Sequence, residues 1–126
     1  MRIFLVFIFL ISTQLAFTQI SDSLSIALQK GDSKLLAHFF SETVEISIEN
    51  EEGFYSQKQA EIIVSSFFKK NKPTSYTVKH EGGSKSKSQF TIGTLVTEKD
   101  TFRTHLLYNK LNNKIQIIEL RIESAN

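Results

Sequence analysis

The spacing of apolar and polar positions changes character along the chain, and each change predicts an element. Ile20, Leu24, Ala27 and Leu28 recur at helical spacing behind Ser21 and Asp22, either of which can cap a helix start. Gly31 ends that run, because glycine reaches the left-handed conformation without strain. Asp32 then caps a second short helix with a buried face of Leu35, Leu36, Phe39 and Phe40. Residues 44–48 alternate Val44, Ile46 and Ile48 with Glu45 and Ser47, the pattern of a half-buried strand. Residues 49–53 read as an acidic turn, and Phe54-Tyr55 resumes the extended chain.

A third helix carries the clearest local signal. Ser56 and Gln59 have the spacing of a capping box. Ala60, Ile63, Val64, Phe67 and Phe68 behind them form one apolar stripe. Lys69, Lys70 and Lys72 crowd its end, where cations offset the helix dipole, and Pro73 forbids continuation. Everything after Pro73 reads as strand, over 74–81, 88–97, 101–111 and 114–123. The turns between fall at residues 82–87, at 98–100 and at Asn112-Asn113, whose tolerance of positive φ suits a two-residue hairpin. Two helices, a strand, a short strand, a helix and four strands predict an α+β fold, with helices on one face of an antiparallel sheet.

Residues 1–18 stand apart from this pattern. Arg2 precedes the unbroken apolar run of residues 3–11, and a more polar stretch with small residues follows. This is the layout of a secretory signal peptide, cleaved after Thr18 with Ala16 three positions before the cut. The apolar run is far shorter than the roughly 20 residues that span a bilayer. The expected mature unit is therefore one domain over 19–126, exported to the periplasm or beyond, with no integral membrane segment after cleavage.

Composition narrows the chemistry. The chain has 126 residues, with no Cys, no Trp and one Pro. Thiolate metal sites, cysteine nucleophiles and disulfide scaffolds are thereby excluded. Loss of Arg2 leaves fourteen basic against thirteen acidic side chains, a formal charge of +1. A nearly neutral surface sets up no long-range field for polyanions, so nucleic acid is not an expected partner.

The run Ala27-x-x-x-Gly31-Asp32-x-x-x-Leu36-x-x-x-Phe40, followed by Val44-x-Ile46-x-Ile48, resembles the opening of the nuclear-transport-factor-two-like superfamily. That fold, also called cystatin-like, is a cone in which a curved antiparallel sheet wraps a long helix. More narrowly, the region after residue 18 is similar to a family of small exported bacterial proteins of unknown function. Lys30-Gly31-Asp32, Val44-Glu45-Ile46, Gly53-x-Tyr55-Ser56, Phe67-Phe68, His80-Glu81-Gly82, Ile92-Gly93 and Leu120-Arg121-Ile122-Glu123 carry that likeness, in order. The resemblance implies a fold, an address and no assigned chemistry. In the superfamily some members hold acidic, phenolic or histidine groups in a pocket inside the cone. Others bind partners or dimerise through the open sheet face.

Few residues qualify for such a pocket. Ile118, Leu120 and Ile122 read as inward on the last strand, leaving Glu119, Arg121 and Glu123 outward, so the alternation places no inward carboxylate base there. His38 falls at the rim of a helix stripe, His80 at a strand end beside Glu81, and His105 on the outer sheet face. Their separation matches no metal-ligand motif, and neither a metal nor a cofactor is expected. Tyr55, Tyr76 and Tyr108 could offer phenol donors. The leading expectation is a non-enzymatic module that binds a small apolar ligand or an envelope protein, with a homodimer through the sheet. The alternative is a small-molecule isomerase or dehydratase with His80, Glu81 and Tyr55 as its candidate groups; a purely structural envelope role comes third.

Overall fold

A computed structural model describes residues 19–84, 88–112 and 114–126. The expected signal peptide, residues 85–87 of the expected turn, and Asn113 lie outside the described residues. Helices α1 (Gln19–Lys30) and α2 (Ser33–His38) precede strands β1 (Phe40–Ile48) and β2 (Glu51–Ser56). Helix α3 (Gln57–Lys70) then leads into β3 (Pro73–Gly83), β4 (Gln89–Thr97), β5 (Thr101–Leu111) and β6 (Lys114–Ser124). The six strands form one curved sheet in the order β2-β1-β6-β5-β4-β3. Every neighbouring pair is antiparallel except β1 and β6, which run parallel.

The local signals act as their chemistry requires. Asp32 accepts a hydrogen bond from the Leu35 amide at 3.0 Å and caps α2. Ser56 and Gln59 make both bonds of the capping box on α3. Gly31 sits at φ +66, and a Cβ there would stand 2.9 Å from Pro73 Cδ. One residue thus reverses the chain between α1 and α2 and lets that turn pack on the start of β3. The side chain of Gln57 donates to the Ala37 carbonyl at 2.8 Å, joining the start of α3 to the end of α2.

Five expectations are corrected, the first being that Gly82 and Gly83 do not open the turn after β3 but continue the strand opposite Phe90 and Gln89. Helix α1 begins at Gln19, so Asp22 lies in its first turn and does not cap it. Phe40 opens β1 and is no part of α2; Phe39 ends the helix, and its carbonyl accepts from the Ile117 amide at 2.7 Å. The turn between β1 and β2 is only Glu49-Asn50, with Glu49 at φ 54, and Gly53 is paired inside β2 opposite Ile46. On β6 the buried residues are Ile115, Ile117, Leu120 and Ile122, while Ile118 is half-buried. A bulge between β5 and β6 at this point absorbs one residue and switches the parity of the strand.

The core lies between the helices and one face of the sheet. Leu28, Leu36, Val44, Ile46, Ala60, Val64, Leu95, Ile117 and Leu120 are fully enclosed there. Each large aliphatic side chain of this set contributes roughly 1.5–3 kcal/mol of burial. Substituting Gly31→Ala combines a left-handed backbone with a contact against Pro73. It should cost roughly 2 kcal/mol of unfolding free energy in a urea titration, and an unchanged midpoint would refute this account of the α1–α2 turn.

Candidate functional site

The pleat divides the sheet's side chains between an inner face, under the helices, and an outer face that no described element covers. The inner face is apolar except around Gly93. Gly93 pairs with Val78 on β3 and Thr104 on β5. The ring of Tyr76 lies across it, and a Cβ on Gly93 would stand 2.6 Å from the ring edge and the phenol oxygen. The missing side chain lets Tyr76 reach over to Thr104. Both hydroxyl oxygens are buried and lie near each other, without a hydrogen bond of good geometry. Burial pushes the Tyr76 phenol above its ordinary pKa; Thr104 offsets part of the rise, while the charges of Glu81 and Tyr108 add to it. The space beside this pair, lined by Leu24, Ser25, Thr91 and Tyr108 among others, amounts to only about 10 Å³. That is roughly the least space that holds one water.

The outer face is built from cross-strand rows. One row runs His80, Ile92, His105, Arg121, Ser47 and Glu52 from β3 to β2. The next comprises Thr77, Thr94, Arg103 and Glu123. A third runs Gly82, Phe90, Leu107, Glu119, Glu45 and Phe54. Phe90, Ile92 and Leu107 are half-buried on this face, and Phe54 is 73% exposed. The His105 ring stacks on Phe90 with centroids 6.2 Å apart. Its Nδ1 is enclosed without a hydrogen bond, 4.0 Å from Glu119 Oε1. Arg121 reaches Glu119 at 3.4 Å and Glu123 at 3.7 Å. Arg103 is exposed and makes no ion pair among the described residues. A cleft of about 160 Å³ opens between Arg103, His105, Arg121 and Glu123. A larger one of about 380 Å³ adjoins it and shares Arg103 and Glu123.

The three residues singled out for acid–base work do not converge. His80 and Glu81 are consecutive on β3 but belong to opposite faces, because His80 pairs with outward Ile92 and Glu81 with inward Thr91. Tyr55 is on β2, at the other edge of the sheet, where its hydroxyl donates to Glu51 at 3.2 Å. Desolvation and that carboxylate raise its pKa. His38 is exposed on α2 and meets Phe39 edge-on. No group of three metal-ligating side chains occurs among the described residues. Thr104 and Arg103 were missed as site residues. Their signal was the alternation Phe102, Thr104, Leu106, Tyr108 against Arg103, His105, Leu107, which places a hydroxyl inside and a cation outside.

Residues 21–123 match the domain of unknown function DUF4783. The chain belongs to the DUF4783 family. It is similar to the crystal structure of a DUF4783 protein from Bacteroides uniformis, with 28% identity and a TM-score of 0.78 over 85% of this chain and 98% of that one. A second, from Bacteroides fragilis, is 32% identical with a TM-score of 0.75 over 82% and 96%. A putative calcium/calmodulin-dependent protein kinase II association domain from Xanthomonas campestris shares the fold at 17% identity, with a TM-score of 0.62 over 83% and 82%. The DUF4783 domain thus has the nuclear-transport-factor-two-like cone that its residues resemble. No curated protein matches it.

The orphan hydroxyls of the DUF4783 interior give a direct test. Thr104→Val keeps the shape and removes an unsatisfied group, so it should stabilise the fold by about 1 kcal/mol. A loss of that size would mean that the hydroxyl is bonded in solution. Tyr76 holds its proton above the usual 10.0 when folded, so its contribution is complete below that pH and declines as pH rises past it. Tyr76→Phe should flatten the loss of stability between about pH 9 and pH 11 in urea titrations. An unchanged slope would contradict the burial of that phenol.

Proposed function

We propose that this chain is an exported, non-enzymatic interaction domain whose working surface is the outer face of the sheet. The observation that carries this reading is the contrast between the two faces. On the inner face only about 10 Å³ is left beside Tyr76, and the cleft of about 340 Å³ on the helix side lies apart from it, between α3 and the β1–β2 turn. The opposite face presents Phe90, Ile92, Leu107 and Phe54 together with an arginine that has no ion partner among the described residues. Apolar side chains set among charges on an uncovered sheet suit a protein partner, whether an envelope protein or a second copy of the chain. Residues 1–18 would serve as the export signal, and no described helix is long and apolar enough to cross a membrane.

A second reading, a small-molecule binder or isomerase-like enzyme, rests on the buried Tyr76 and Thr104 hydroxyls beside Tyr108 and Glu81. It would need the space beside Tyr76 to open, because a ligand of ordinary size requires roughly 300 Å³ or more, and the cleft of about 340 Å³ between α3 and the β1–β2 turn is lined by neither hydroxyl.

Native mass spectrometry of the protein purified from its own envelope fraction separates the two. The interaction reading expects a chain that begins near Gln19, in a complex with protein, and lost on Ile92→Asp. A monomer carrying an extra few hundred daltons, unaffected by Ile92→Asp, would overturn it in favour of the cone interior. A mass that retains residues 1–18 would overturn export.

A further inference from the structure

We infer that the cleft between Arg103 and Arg121 receives a carboxylate from an acidic, extended segment of a partner protein. The inference rests on the outer face being the working surface and names what that face recognises.

Arg103 and Glu123 stand opposite each other across β5 and β6, the arrangement in which a cross-strand ion pair normally forms. Glu123 is instead taken by Arg121 at 3.7 Å, and the other acid on β6, Glu119, is shared between Arg121 and His105. Both carboxylates on this side of the face are therefore engaged, and the Arg103 fork is left over. A guanidinium presents parallel donors that match one carboxylate bidentately. Arg121 is thus matched by Glu119 and Glu123, and the cation of the cleft left without an ion pair among the described residues is the single guanidinium of Arg103. One carboxylate matches that guanidinium, whereas a doubly charged phosphate would bring a second negative charge against Glu123.

The adjoining space gives the segment a direction. The larger cleft continues from Arg103 towards β3, where Lys79, His80 and Ile92 line it. The bulge between Val78 and His80 turns Lys79 and His80 to the same side of that edge strand. A chain with one acid in the Arg103 cleft can place an apolar side chain over Ile92 and a second acid near Lys79. Among the described residues, Lys79 also has no ion pair.

The test is a ¹⁵N chemical-shift titration of the purified full chain with two probes at equal ionic strength, an acetylated hexa-glutamate peptide and inorganic phosphate. The peptide should shift amides at 92–94, 103–105 and 121–123, more weakly as salt rises. Arg103→Gln should weaken it roughly tenfold, with Arg103→Lys in between. Glu123→Gln should tighten it, a gain that a purely structural role for these exposed side chains would not produce. Shifts with phosphate alone would overturn the assignment in favour of a free-anion site, and no shifts would overturn the site altogether. A dimer that dissociates on Arg103→Gln would mean that a second copy fills the cleft and would overturn the separate partner. If the native complex is lost on Ile92→Asp but survives Arg103→Gln, this inference fails while the interaction reading stands. Survival of both variants defeats both.

Discussion

The parallel pairing of β1 with β6 joins the two halves of this fold. The residues up to Lys70 supply three helices and a two-stranded ribbon, and those after Pro73 supply a four-stranded meander. Neither half covers its own apolar face. The pairing of Ile46 with Leu120 and of Ile48 with Ile122 makes them one sheet, and α3 can then bury Val64 and Phe67 against it. Over residues 45–48 the register is strict, because a shift of one residue would turn Ile46 and Ile48 to solvent. The bond from the Ile117 amide to the Phe39 carbonyl ties the chain to β6 where it leaves α2, and the register shifts between Phe40 and Glu45 before the inward isoleucines pair.

Joining the halves in this order also decides what chemistry can occur where. It sends β2 and β3 to opposite edges, which separates Tyr55 from His80 by four strands. It puts β5 and β6 side by side in the middle of the sheet, which brings Arg103, His105, Glu119, Arg121 and Glu123 together on the outer face. The inner face loses its room to tight packing: Tyr76 lies over Gly93 and closes on Thr104. Buried hydroxyls without partners are costly, and here they sit in space for hardly one water. The outer face, by contrast, keeps half-buried apolar groups in contact with solvent, beside Arg103 and Lys79, which make no ion pair among the described residues.

Much of the local structure was legible beforehand, and particular residues show why. Gly31, Asp32, Ser56, Gln59 and Pro73 act within a few residues of themselves, so their chemistry is fixed by neighbours along the chain. Asn112 at φ 50 turns β5 into β6 for the same reason. Phe40 was harder, since an aromatic residue at helical spacing fits a helix stripe as well as a strand start. Ile118 was out of reach, because its exposure comes from a bulge that exists only once β5 and β6 are paired. The site was less legible than the fold. Alternation put His105 outward correctly, but the ion pairs that leave Arg103 over depend on lateral neighbours that one strand alone does not reveal.

The sequence by itself therefore determined the order and type of the elements, the caps of α2 and α3 and the face that β1 buries, and it carried the resemblance to a family whose fold the chain shares. These follow from periodicity, capping and backbone freedom, all of which act over short stretches of chain. Only the tertiary structure decided the strand order, the parallel seam, the closure of Tyr76 over Gly93 and the grouping of charges across β3 to β6. Those depend on pairing between residues dozens of positions apart, and the net energy of such pairing comes from burying surfaces that no single segment can bury alone.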